Sequence, residues 1–139
     1  MTAFIIDASV AIKWVVAERG TRQALLLRQH QLSAPDLLVA ECANILWKKV
    51  RRQELIEDEA ILAARLLERA DVRLESMRPL FERATRLALA LDHPAYDCTY
   101  LALAQILSCP LVTADARLHR KIAATESAPE VLLLGAIRE

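Results

Sequence analysis

Short, densely apolar runs alternate along the chain with longer stretches in which apolar residues recur every three or four positions. The first pattern reads as buried strand and the second as amphipathic helix. Phe4-Ile5-Ile6 is such a strand, followed by Asp7-Ala8-Ser9 and a helical pattern from Val10 to about Ala17. Gly20 and Thr21 supply a stop and a new N-cap, which assigns Ala24-Leu25-Leu26-Leu27 to a second helix. Leu32-Ser33-Ala34 predicts a second strand, and Pro35 opens a helix over about Asp36 to Arg52, Pro being well placed in a first helical turn. A further helix covers Glu57 to about Ala70, with acids in its first turn and Arg65 and Arg69 late, as the helix dipole favours. Val72-Arg73-Leu74 is a strand, Pro79 begins a helix to about Leu91, and Pro94 begins another to about Leu107. Leu111-Val112-Thr113 reads as a strand, Asp115 to about Ala124 as a helix, and Val131-Leu132-Leu133-Leu134 as a last strand. Apolar strands alternating with helices predict an α/β fold with a mainly parallel central sheet and helices on both faces.

Four acids interrupt the apolar stretches: Asp7, Glu41, Asp97 and Asp115. Three have ordinary explanations. Asp7 and Asp115 follow strands directly and suit the N-cap of the next helix, and Asp97 falls in a first turn where any carboxylate gains from the helix dipole. Glu41 has no cap to explain it, because it lies well past its helix start, within Leu37-Leu38-Val39-Ala40-Glu41-Cys42-Ala43-Asn44-Ile45-Leu46-Trp47, and it reads as a functional acid or as an exposed residue of a solvent stripe. Helical spacing sets Asn44 and Lys48 beside it, as one narrow polar stripe on an otherwise core-facing helix. In open parallel sheets ligands bind beyond the carboxyl ends of the strands, where Asp7 and Asp115 stand and which the other two helices can cover. Unpaired buried carboxylates are costly, and several together call for a cation.

Composition narrows the class. At 139 residues, with 55% apolar residues, 2 Gly and 5 Pro, the chain suits one domain over residues 1–139 and excludes disorder and long linkers. No apolar run reaches the roughly 18 residues of a membrane span, and Asp7 falls where a signal peptide would be apolar, which predicts a soluble, cytoplasmic protein. Cys42, Cys98 and Cys109 show no metal-binding spacing and read as free thiols. Net charge is zero, so generic attraction to polyanions is excluded. The basic residues cluster locally, however, as Lys48-Lys49-Val50-Arg51-Arg52 and Arg117-Leu118-His119-Arg120-Lys121. Such runs serve either as solvated helix faces or as grips on a phosphate backbone.

An all-carboxylate donor set selects a hard divalent cation, Mg²⁺ or Mn²⁺, and such ions commonly serve phosphate chemistry. His30 and His119 fall in helical surface patterns and His93 in a loop, so no His-based acid–base site is expected. Walker, GxGxxG and GxSxG motifs are absent. Ser9 and Thr113, two residues from Asp7 and Asp115, are candidates to hydrogen-bond the acids. Two other readings use the same residues: a phosphotransfer enzyme or receiver-like module on a doubly wound sheet, and a non-catalytic protein whose acidic pocket takes a basic peptide.

FIIDASVAIKW, APDLLVAECANILWKK, LDHPAYDCTYLALA and LVTADARL resemble, in order and spacing, the PIN-domain ribonucleases, specifically the VapC-type toxins of toxin–antitoxin pairs. The resemblance runs from about Phe4 to the final strand. It implies an Mg²⁺- or Mn²⁺-dependent endoribonuclease acting on RNA, often tRNA or rRNA, usually as a homodimer and silenced by a small antitoxin. Asp7, Glu41, Asp97 and Asp115 would line one pocket, Asp7 and Asp97 as principal metal ligands. Ser9, Asn44 and Thr113 match polar positions beside those acids. Arg51, Arg52, Arg117 and Arg120 are candidates for contacts to the RNA backbone.

Overall fold

The computed structural model describes residues 2–125 and 128–138. Five parallel strands form one sheet: β1 (Ala3–Ile6), β2 (Gln31–Pro35), β3 (Arg73–Glu75), β4 (Leu111–Thr113) and β5 (Val131–Leu133). Their order is β3-β2-β1-β4-β5. The chain therefore builds outward from β1 in one direction and then returns to build outward in the other. Crossovers between parallel strands are right-handed, so the two directions place their helices on opposite faces of the sheet. This is the α/β arrangement the alternation predicts, with β4 buried throughout in the sheet interior and β3 largely exposed at the sheet edge.

Among the described residues seven α-helices complete the fold: α1 (Ala8–Ala11), α2 (Thr21–Leu27), α3 (Leu37–Arg51), α4 (Glu57–Glu68), α5 (Phe81–Leu91), α6 (Ala95–Leu107) and α7 (Ala116–Ala123). The core lies between the sheet and α6, whose Cys98 to Ala104 segment is buried residue after residue and packs across β1, β2 and β4. A helix apolar all round belongs in the interior, and α6 is the one that meets this description. Among the described residues no helix is long and apolar enough to cross a membrane.

Some element boundaries differ from the sequence reading. The helix expected from Val10 to about Ala17 is α1 followed by a 3-10 turn over Ile12–Trp14. The β-branched pair Val15-Val16 disfavours continuation, and Trp14 Nε1 donates to Ala24 O at 2.7 Å, which turns the chain onto α2. Thr21 is not the N-cap of α2. Gly20 holds that position at φ 92, while the Thr21 hydroxyl accepts from Glu18 N at 3.0 Å. Pro35 closes β2 instead of opening α3, at a point where pairing to β1 has already ended at Ser33 and its missing N–H costs no bond there. Pro79 lies in a 3-10 turn over Arg78–Leu80 that leads into α5. His30 is not on a helix face either: it follows α2 and sets its ring edge-on to Phe4, 5.2 Å between centroids.

The packing makes a direct prediction. Leu101, fully buried on α6, should cost about 2–5 kcal/mol when cut to Ala, whereas Leu89→Ala on the exposed side of α5 should stay within about 0.5 kcal/mol. Urea unfolding of the two variants measures the contrast.

Candidate active site

The direction of strand building reverses between β1 and β4, and the crevice beyond their carboxyl ends is where such sheets bind ligands. Asp7 follows β1 there and Asp115 follows β4 by two residues. The chain runs through α6 antiparallel to the strands before entering β4, which brings the α6 N-terminus, and Asp97 in its first turn, to the same edge. The α3 helix leaves that edge from β2, with Glu41 in its second turn. A cleft of about 490 Å³ results. It is lined by Asp7, Ser9, Glu41, Asn44, Asp97 and Asp115, together with Lys48, Tyr96 and four apolar side chains. The structure thus brings all four acids to one cleft.

Asp7 is the innermost acid, only 8% exposed. Its Oδ2 accepts from Thr113 Oγ1 at 2.6 Å, and its Oδ1 accepts from Ser9 Oγ at 2.5 Å and from Val10 N at 3.3 Å. Ser9 Oγ accepts in turn from Ala114 N at 3.0 Å, and Thr113 is fully buried, so β1 and β4 are tied together through this carboxylate. Both hydroxyls thus donate to the Asp7 carboxylate, and Thr113 Oγ1 also accepts from Asp115 N at 3.1 Å. Burial nevertheless pushes the Asp7 carboxyl up to about 6, against the opposing pull of the Ser9 and Thr113 bonds, with the negative charge of Asp97 adding to the rise.

Glu41 is half-buried. Burial raises its carboxyl above the usual range and Asp97 adds to this, while a hydrogen bond from Tyr100 opposes it. Tyr100 Oη donates to Glu41 Oε1 at 2.6 Å. The surrounding helix is less core-facing than its composition suggests: Leu38, Cys42 and Leu46 are buried, but Val39 and Trp47 are exposed. Asn44 and Lys48 accompany Glu41 along the cleft wall as helical spacing requires.

Asp97 Oδ2 stands 2.7 Å from His93 Nε2, and Asp97 does not cap its helix, a place taken by Pro94. Asp115 is exposed and caps α7, its Oδ1 accepting from Arg117 N at 2.9 Å and from Leu118 N at 3.2 Å. Asp7 likewise caps α1. Capping and cleft-lining are thus compatible duties of one residue, because helix starts and the ligand edge coincide in this topology.

Several contacts lie outside the sequence reading. His93 lies in the loop the sequence predicts, yet it contacts an acid of the cleft. Tyr100 reads as a core aromatic within an apolar helix, and its partner is 59 positions away. The basic side chain in the cleft is Lys48, whereas Arg51, Arg52, Arg117 and Arg120 do not line it. Arg51 lies over the Trp47 ring, 5.3 Å from its centroid. Cys42 and Cys98 are buried free thiols as expected, and Cys42 is pushed up to about 12 by burial and by Glu41 and Asp7, which leaves it inert.

The donor set suits a hard cation: every acid offers oxygen, and crowding with burial leaves negative charge that Lys48 alone does not balance. The side chains do not stand as a closed cage, since among the described residues no three His, Cys, Asp or Glu groups converge as a ready metal-binding cluster. Glu41, Asp97 and Asp115 each keep one oxygen that accepts no hydrogen bond from the described residues.

A stability test isolates the Asp7 charge. The folded chain holds the Asp7 proton up to about pH 6 against 3.8 for an ordinary aspartate. The stability contributed by that proton is complete below 3.8 and is lost as pH rises through about 6. In chelator, Asp7→Asn should therefore be more stable than the parent at pH 7.5, by on the order of 2–3 kcal/mol for a shift of about two pK units, with the gap closing near pH 4. Denaturant titrations at the two pH values measure it; a variant equally weakened at both would contradict the assignment.

Comparison with known proteins agrees with this geometry. Residues 4–124 match the family model of the PIN domain. The chain is 34% identical over 114 residues to the VapC ribonuclease Mb0985 of Mycobacterium bovis, covering 82% of this chain and 87% of that protein. Its fold superposes on the crystal structure of PAE2754 from Pyrobaculum aerophilum with a TM-score of 0.71 at 22% identity, covering 96% of this chain and 85% of that one. It also superposes on a toxin–antitoxin complex from Klebsiella pneumoniae, with a TM-score of 0.63 at 16% identity and coverage of 94% and 96%. With the family match spanning nearly the whole chain and the four acids drawn to one cleft at the sheet's switch point, this protein belongs to the PIN-domain family, among the VapC ribonucleases.

Proposed function

We propose that this chain is a divalent-cation-dependent endoribonuclease, the toxin of a toxin–antitoxin pair, that hydrolyses RNA phosphodiester bonds in the four-acid cleft. The observation that carries the reading is the convergence of Asp7, Glu41, Asp97 and Asp115 on one crevice, in a relative of ribonucleases. Asp7 and Asp97 would be the principal holders of Mg²⁺ or Mn²⁺, with Glu41 and Asp115 completing the set. When bound, the cation supplies positive charge against the acids and Lewis acidity toward the phosphodiester. The chain's own residues do the rest. Ser9 and Thr113 keep the Asp7 carboxylate fixed, and Asp115, the exposed acid of the cleft, would accept a proton from an attacking water. Asn44 offers an amide to the substrate from the cleft wall.

RNA reaches the cleft along α3. Lys48 lies seven residues after Glu41 and Arg52 eleven, close to two and three full turns, so both fall on the side of the helix that bears Glu41. This gives a graded stripe, acid at the reacting end and base where the backbone enters, on a protein of zero net charge. Arg117 and Arg120 on α7 would contact the backbone from the opposite rim. Family membership supports a small antitoxin as partner, a homodimer, and action in the cytoplasm.

The receiver-like alternative loses its support. That fold orders its strands 2-1-3-4-5, whereas this sheet is 3-2-1-4-5. A phosphotransfer enzyme with an Asp nucleophile of the phosphatase type wants a second Asp two residues after the first, and Ser9 stands there as a donor to Asp7.

Asp97→Asn should lower RNA cleavage by about two orders of magnitude or more in a folded, Mg²⁺-supplied protein, the scale of losing one charge-stabilising group. Cleavage that survives sinks the mechanism. Lys48→Ala should instead weaken RNA binding with little change in kcat, and reduce the salt slope of binding by about one ion. Binding isotherms over a salt series, alongside turnover at saturating RNA, separate the two effects.

A further inference from the structure

Two side chains touch the acids from behind the cleft without lining it. Tyr100 is 1% exposed and its hydroxyl donates to Glu41 Oε1 at 2.6 Å. The ring nitrogen Nε2 of His93 stands 2.7 Å from Asp97 Oδ2. Both supports are themselves anchored in the fold. Tyr100 sits in the continuously buried segment of α6, packed against the sheet. His93 is held between Asp92, whose φ of 50 ends α5, and Pro94, which opens α6, and its backbone N donates to Ala88 O at 3.1 Å. In each case one carboxylate oxygen is engaged by a residue outside the cleft lining, and the acid itself is among the cleft-lining residues.

We propose that Tyr100 and His93 are positioning residues: each fixes one oxygen of its carboxylate and so presents the other to the cleft, and the grip of the site on a divalent cation depends on both. The inference rests on reading the cleft as a cation-dependent nuclease site. Its physical basis is that long carboxylate side chains lose rotamer freedom when they bind an ion, and a donor that has already fixed them removes that loss from the binding step. Glu41 gains most, having three rotatable side-chain bonds and a half-exposed position on the cleft wall. An ordinary buried tyrosine also needs a hydrogen-bond partner, but nothing in that need requires the partner to be the one acid of α3 in the cleft. The repetition of the arrangement at Asp97, from a different residue type on a different part of the chain, points to the carboxylates as what is being served.

The test is Mn²⁺ binding by calorimetry and by the electron paramagnetic resonance of the ion, on the full chain. Tyr100→Phe and His93→Leu should each weaken Mn²⁺ binding about tenfold or more, whereas His93→Gln, which keeps a nitrogen donor near the position of Nε2, should stay within about threefold of the parent. Thermal unfolding in chelator, run on the same variants, reads any effect on the fold separately. Variants that lose stability but bind Mn²⁺ as the parent does would overturn the inference and leave Tyr100 and His93 as structural residues. A parent chain that takes up no Mn²⁺ would overturn the cation reading and this inference with it. Should Tyr100→Phe fail to fold, the His93 pair decides alone, since loss in Leu and retention in Gln is a pattern that a packing role does not produce.

Discussion

A carboxylate placed at the one point in the sheet where the strand order reverses governs the rest of this molecule. Asp7 leaves β1 into the crevice between β1 and β4, and the fold closes over it with Thr113, Ser9 and the start of α1. These donors hold the group in place without making it comfortable, since burial still raises its carboxyl to about 6. Hydrogen bonds orient a buried charge; they do not replace the water it has lost. The sheet is thus built around a group that is satisfied geometrically and short of positive charge.

The other acids compound that imbalance. Asp97 raises both Asp7 and Glu41, which identifies it as the common neighbour of the set. A fold seeking only stability would place Asn or Leu at such positions. Each acid is instead held by donors suited to its place: backbone N–H groups for Asp115, hydroxyls and a backbone N–H for Asp7, an imidazole for Asp97, a phenol for Glu41. The cleft is therefore stiff while its charge is uncompensated, the combination expected of a site that waits for a cation and an anionic substrate together.

Much of this was legible along the chain because its cues are local. Apolar triplets such as Leu111-Val112-Thr113, followed by a capping Asp, mark a strand running into a helix by composition alone. Glu41 stood out because no cap explains it, and the structure gives it a buried partner and a place on the cleft wall. What could not be read is what arises between distant segments. The order of the strands depends on pairings such as Ile5 with Leu111, to which no short window of sequence is sensitive. Tyr100 is indistinguishable from a packing residue until α3 is laid beside it, and His93 looks like loop filler until the turn between α5 and α6 aims it at Asp97. Pro35 was misplaced for a related reason: it suits a helix start and a strand end equally, and the end of the β1 pairing decides.

We propose that the Asp7 carboxylate is held deprotonated against its own burial by a divalent cation. Carboxyl carbon NMR of Asp7, followed against pH with and without saturating Mg²⁺, tests it most directly. The account predicts a midpoint near 6 in chelator and one driven well below it by Mg²⁺. A midpoint near the ordinary 3.8 in chelator, or one that Mg²⁺ leaves unmoved, would contradict it.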